Sequence, residues 1–159
     1  MTRSLKLYHG SQQIVEFPRV IVSRRTKDFS WGFYCTINEK QAKRRALRNG
    51  KTGVVNEYIY TPNDKLKVLR FEKPDEEWAR FIAKCRRGDA HEWDIVEGPM
   101  ADDAIWNFVL DFMENRIPLE AFLAYAKFQH PTHQISFHTL SAFQTLRFVE
   151  GRVVREDSE

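Results

Sequence analysis

Apolar and polar residues first alternate along this chain and then recur at spacings of three and four. Leu5, Leu7 and His9 fall on one side of LKLYHGS, which predicts a short strand that breaks at Gly10 and leaves His9 at its end. SWGFYCT predicts a second short strand entered through Gly32. Asn38 then stands where an N-cap opens the basic helix EKQAKRRALR, which Asn49 and Gly50 terminate, so Tyr34 sits shortly ahead of a helix. VVNEYIYT and KLKVLRFE are two further strands, and the turn TPND between them predicts a hairpin or meander.

Pro74 and Asp75 open EEWARFIAKCRR, in which Trp78, Phe81, Ile82 and Cys85 share one face and Gly88 marks the stop. WDIVEGP predicts a strand, after which Asp102 or Asp103 caps AIWNFVLDFMENR with Ile105, Phe108, Val109 and Phe112 inward. A shorter helix follows Pro118; HQISFHT predicts the last clear strand, TLSAFQTL a closing helix, and FVEGRVV an edge hairpin ahead of a frayed tail. The sum is mixed α+β in one domain over residues 1–159, without the regular βαβ succession or the glycine-rich loops of Rossmann and P-loop folds.

Composition agrees with one domain, since 159 residues at 42% hydrophobic and 30% charged leave no room for a second core. Twelve Phe, four Trp and five Tyr exceed what a simple helical bundle packs, an excess that suits the lining of a pocket. Cys35 and Cys85 lack CxxC spacing and neighbouring histidines, so reduced thiols are expected, with neither a metal site nor a disulfide. No segment approaches the roughly 18 apolar residues of a membrane span, which predicts a cytoplasmic protein with no membrane partner. A net charge of +3, with Arg24, Arg25 and Lys27 followed by Lys40, Lys43, Arg44, Arg45, Arg48 and Lys51, allows a polyanionic partner.

The chain has no HExxH helix, G-x-S-x-G elbow or Cys/His cluster. Candidate chemistry therefore rests on polar and aromatic groups at strand ends: His9-Gly10-Ser11, Gly32-Phe33-Tyr34, Asn56-Glu57-Tyr58, Asp102-Asp103 and His133-Gln134. Taken singly, His9 reads as a satisfied structural histidine and Tyr34 as a core aromatic. His91, His130, His133 and His138 read as structural.

LYHGS followed by DFSWGFYCT and a helix resembles the HG(S/T) and GxGxYF elements of the ADP-ribosyltransferases, the poly-ADP-ribose polymerase group in particular. Over nearly the whole chain, LYHGS, DFSWGFY, PDEEWARFI, IVEGPMADD and QISFHT also resemble a bacterial domain-of-unknown-function family, DUF3990. The resemblance implies an ADP-ribosyltransferase-like split antiparallel β-sheet with flanking helices and a cleft that grips NAD as substrate, with no metal. It further implies that His9 hydrogen-bonds the adenosine ribose, that Gly10 holds the nicotinamide carboxamide through its backbone, and that Tyr34 stacks on nicotinamide. Gly32 and Phe33 would complete the dinucleotide site; Ser11 either donates to NAD or finishes its own turn, and Arg24 and Arg25 either clasp the pyrophosphate or stand in solvent.

By order and context the third catalytic position falls at Gln134, with Glu57, Asp102 and Asp103 as alternatives for substrate binding or general base. A glutamine can orient the nicotinamide-side ribose but cannot accept a proton, which favours a single transfer or plain NAD hydrolysis over chain elongation. The implied activity is mono-ADP-ribosyl transfer to a protein or nucleic-acid acceptor, in the setting of a toxin with a small antitoxin partner. A non-catalytic NAD- or nucleotide-binding module, an NAD glycohydrolase, and a basic nucleic-acid-binding protein using the Lys40 to Lys51 helix remain open alternatives.

Overall fold

Seven strands and five helices form among residues 3–22, 27–129 and 132–156, which the computed structural model describes. In chain order they are β1 (Leu5–Ser11), β2 (Phe33–Cys35), α1 (Glu39–Ala46), β3 (Thr52–Tyr60), β4 (Val68–Arg70), α2 (Glu76–Arg86), β5 (Ile95–Pro99), α3 (Asp103–Met113), α4 (Leu119–Gln129), β6 (His133–Phe137), α5 (Leu140–Phe143) and β7 (Leu146–Arg155). One sheet has the order β1-β3-β7 and is antiparallel throughout. The other has the order β2-β6-β5-β4, and its β4 runs parallel to β5.

The architecture is mixed α+β, as the hydrophobic pattern predicts, but three pairings differ from that reading. VVNEYIYT and KLKVLRFE do not form a hairpin: β3 takes β1 and β7 as neighbours, while β4 joins the other sheet. The Thr61 amide donates to the Thr145 carbonyl at 2.9 Å as the chain leaves β3, so the turn is spent on changing sheets. Parallel pairing of β4 with β5 through α2 makes the second sheet mixed instead of purely antiparallel, because parallel neighbours need a crossover element between them. FVEGRVV is likewise no hairpin but part of a single ten-residue edge strand, whose ladder with β3 runs on through Val154 to Arg155, where the sequence suggests a frayed tail. The closing helix shrinks to α5, capped by Thr139.

Local chemistry explains the helix ends. Asn38, Asp75 and Asp102 each accept a backbone N–H three residues on, capping α1, α2 and α3. After α2, Gly88 adopts φ +100°, its amide bonds the Cys85 carbonyl, and the Asp89 amide reaches Lys84 at 3.1 Å, a left-handed stop that favours glycine.

The two sheets face each other over a core of Leu7, Phe33, Tyr58, Ile95, Ile135 and Phe137. Burying each large side chain of this kind contributes roughly 1.5–3 kcal/mol. On the outer face of the second sheet, Trp78, Ile82, Ile105, Val109 and Phe122 from α2, α3 and α4 pack with Val96 and Phe29. The first sheet's outer face is covered by α1 through Ala42 and Ala46. A Cβ on Gly10 would lie 2.1 Å from the Ala42 carbonyl oxygen, and one on Gly53 would lie 2.2 Å from that of Ala46. Glycine on the strands and alanine on the helix therefore let α1 lie directly on the backbone.

Candidate functional site

Between the two sheets, backbone pairing comes down to one bridge among the described residues. Tyr8 donates to the Thr36 carbonyl at 2.8 Å and accepts from the Thr36 amide at 2.9 Å. In an antiparallel ladder the next pair to exchange bonds would be Gly10 with Tyr34, two residues along each strand. That pair does not form. The Tyr34 carbonyl instead accepts from His9 Nδ1 at 2.6 Å, so an imidazole takes the place of the Gly10 amide and wedges the strands apart. By the alternation of a strand, the Gly10 N–H and C=O are directed to the same side as those of Tyr8, into the split.

His9 itself is only 6% exposed and stacks on Phe33 with ring centroids 4.1 Å apart. Burial, opposed in part by the bond to Tyr34, lowers its pKa to about 4, so the ring is neutral at physiological pH. Because a carbonyl only accepts, Nδ1 carries the proton and Nε2 offers a lone pair. The imidazole thus meets Tyr34 through the main chain rather than ring to ring across an open gap.

Next to this split lies a cleft of about 370 Å³, lined among others by Lys27, Asp28, Tyr34, Arg45, Arg86 and Gln134. At its inner end a second, smaller hollow of about 30 Å³, lined by Gly10, Tyr34, Thr36, Gln41, Arg45 and Gln134, shares Tyr34, Arg45 and Gln134 with the cleft and reaches the split. The Tyr34 hydroxyl accepts from the Phe29 amide at 3.0 Å and donates to the Ser30 carbonyl, while Ser30 holds φ 74°. Burial raises the phenol pKa well above its ordinary value, so the ring stays neutral. Loop and tyrosine fix one another.

Gln134 and Tyr34 both line this cleft. Gln134 is 6% exposed, and its Nε2 donates to Asp28 Oδ2 at 3.1 Å. Asp28 is buried, accepts from the Ala101 amide at 2.8 Å, and pairs with Arg86 at 2.6 Å. The Arg86 guanidinium in turn lies 4.4 Å over the Trp106 ring. The amide of Gln134 is thereby oriented by a buried carboxylate that is itself fully engaged.

The remaining sequence candidates divide. Asp102 caps α3 by accepting from Ile105 at 2.8 Å, while Asp103 stands exposed in the first turn at the cleft rim. Glu57 lies elsewhere: it belongs to the α1 face of the first sheet, where it pairs with Arg152 at 3.0 Å, and Arg152 also binds Glu39. Phe33 is a core residue between the sheets, and Gly32 leaves room for His138, whose ring would meet a Cβ at 2.7 Å. Ser11 finishes its own turn by accepting from Gln13. Arg24, Arg25 and His130 lie outside the described residues.

Asp28, Met100, Arg86 and Gln41 line the cleft without being sequence candidates, and Arg45 stands in the sequence only as one of a run of basic residues. The signal for the last was present: Ala42 and Ala46 mark the buried side of α1, and Gln41, Arg45 and Arg48 recur at spacings of four and three beside it. Asp28 and Arg86 find each other only in three dimensions.

A larger hollow of about 660 Å³, lined by Thr61, Asn63, Lys65, Ser141, Gln144 and Arg147, lies away from this network. It is wide open and gathers none of the perturbed groups above. Among the described residues no three His, Cys, Asp or Glu side chains gather as metal ligands would, and no helix is long and apolar enough to cross a membrane.

No curated protein matches this chain. A family model described as a protein of unknown function matches residues 5–148, from the first residue of β1 into β7 and so across every element that builds the cleft. With nine-tenths of its length covered, the chain belongs to that family, DUF3990.

Proposed function

We propose that this protein is an NAD-dependent mono-ADP-ribosyltransferase whose donor site is the cleft running from the β1–β2 split to the start of α3. The observation that carries this reading is the interrupted ladder at Gly10 and Tyr34. It directs an amide N–H and a carbonyl side by side into a cleft, the complement of a carboxamide, beside a neutral tyrosine ring and the Gln134 amide.

The resemblance drawn from LYHGS and DFSWGFYCT implies the same division of labour. The Gly10 backbone would hold the nicotinamide carboxamide, and Tyr34 would present a rigid face to the cationic ring. Gln134, aimed by Asp28, would hydrogen-bond the ribose as its bond to nicotinamide lengthens and positive charge develops. His9 serves in two ways: its Nδ1–H keeps the split open, and its Nε2 lone pair suits a donating ribose hydroxyl. In the setting the resemblance implies, the enzyme is a toxin restrained by a small antitoxin.

Incubation with NAD tests the proposal. Wild type should gain thermal stability with NAD and release nicotinamide, and Gln134→Ala should retain the first and lose about 100-fold of the second. An unchanged melting temperature with excess NAD overturns the reading. The engagement of Gln134 with Asp28, and the lack of a carboxylate at the inner end, favour one rival, a binding module without turnover. Stabilisation by NAD with no nicotinamide release from wild type would decide for it.

A further inference from the structure

Transfer of ADP-ribose to a hydroxyl, amine or amide needs a group that removes a proton from the acceptor. The inner end of the cleft, where Gly10, Tyr34 and Gln134 meet, holds no carboxylate. Asp28, the nearest, has its oxygens taken by Arg86, the Ala101 amide and Gln134. Asp102 is committed to its helix cap, and Asp103 stands at the outer rim. His9 lines neither end of the cleft, and its Nδ1 is spent on Tyr34, which leaves only the Nε2 lone pair assigned above to the donor ribose.

Cations are in surplus at the same place. Lys27, Arg45 and Arg48 line the cleft, and among the described residues none of them has a carboxylate within ion-pair distance. Burial, and then the neighbouring Arg45 and Arg48, lower the pKa of Lys27, while burial and then Arg48 lower that of Arg45, opposed in part by Asp28 in both cases and by Tyr34 at Arg45. Three like charges facing one cleft repel one another until an anion arrives. The exposed side of α1 extends the same sign through Lys40 and Arg44, and Lys51 follows just beyond the helix.

We propose that the acceptor is the terminal phosphate of a nucleic-acid strand, held by Lys27, Arg45 and Arg48 beside the reacting ribose while the rest of the strand lies along α1. This inference rests on the donor reading above and names its acceptor. A phosphomonoester loses its second proton near about pH 6, so at neutral pH it arrives as a nucleophile and needs no base. One of its oxygens forms a bond to the anomeric carbon of the nicotinamide ribose. The carbon–nitrogen bond breaks, and its electron pair leaves with neutral nicotinamide. The product is a phosphodiester that joins ADP-ribose to the strand end, and no proton is gained or lost.

The test uses the full chain, NAD labelled in its adenosine half, and one oligonucleotide sequence carrying a terminal phosphate at one end, at the other, or at neither. Label is expected on a phosphorylated strand in a linkage that phosphatase does not remove, with the hydroxyl-ended strand labelled at least about 100-fold less. Arg45→Glu should raise the KM for the phosphorylated strand by about tenfold or more, and Arg45→Lys should recover most of the loss. Equal labelling of hydroxyl-ended strands, labelling of protein alone, or nicotinamide release indifferent to phosphorylated strands overturns the acceptor while leaving the donor reading intact. Absence of both NAD stabilisation and nicotinamide release overturns the two together.

Discussion

His9 makes acid stability a direct test of the wedge between the sheets. The unfolded chain takes up a proton on this imidazole near its ordinary pKa of 6.5, the folded protein only at about 4, so unfolding is coupled to proton uptake between those values. Above the upper value the folded state carries no penalty. As pH falls through the window the penalty grows, reaching about 2 kcal/mol at about pH 5 and about 3 kcal/mol once pH drops below the folded value. Replacing His9 by glutamine keeps an N–H that can donate to the Tyr34 carbonyl and removes the titration. Urea denaturation of both proteins at about pH 8 and about pH 5 isolates the effect, because every other titrating group is shared and cancels in the difference. Wild type should lose about 2 kcal/mol more than His9→Gln on going to the acid condition. Equal losses would mean that the imidazole is charged or solvated in the folded state, and the account of a neutral, Nδ1-protonated wedge would be wrong.

Two further outcomes follow from packing and charge. Gly10→Ala places a Cβ against backbone atoms of Ala42 and Ala46 that cannot swing aside, so a loss of about 3 kcal/mol or more is expected, and an unshifted denaturation midpoint would refute the close seating of α1. Arg86→Met strands the buried Asp28 carboxylate at a cost of about 3–5 kcal/mol, and adding Asp28→Asn should restore part of it; a double variant no more stable than the single one contradicts the pairing.

What the sequence disclosed was whatever short-range chemistry decides. Asn38, Asp75 and Asp102 cap helices because an oxygen three residues ahead of an orphan amide satisfies it in any fold, and Gly88 stops α2 for an equally local reason. The strand ends bearing His9, Tyr34 and Gln134 were legible in the same way. Partner choice was not, since TPND suits a hairpin yet the chain crosses to the other sheet after it, for reasons that lie in β7 more than eighty residues later. The same applies to the cleft. Gln134 and Asp28 are 106 residues apart in sequence, Arg86 and Asp28 are 58 apart, and no periodicity links residues that meet only when two sheets face each other. Glu57 shows the converse: it stands in sequence among the polar and aromatic strand groups that read as candidate chemistry, but alternation along β3 turns its side chain toward α1 and Arg152.

The first sheet has an uneven relation to its own two ends. Its first strand begins opposite Tyr60 and its last finishes opposite Thr52, so these points sit at opposite ends of the central strand, roughly 26 Å apart along it. The late end is the one near the basic wall, for the Glu156 amide bonds the Lys51 carbonyl at 2.9 Å. A reporter or affinity handle joined after β7 would therefore crowd the approach to Arg45 and Arg48, whereas one placed ahead of β1 would leave that approach clear.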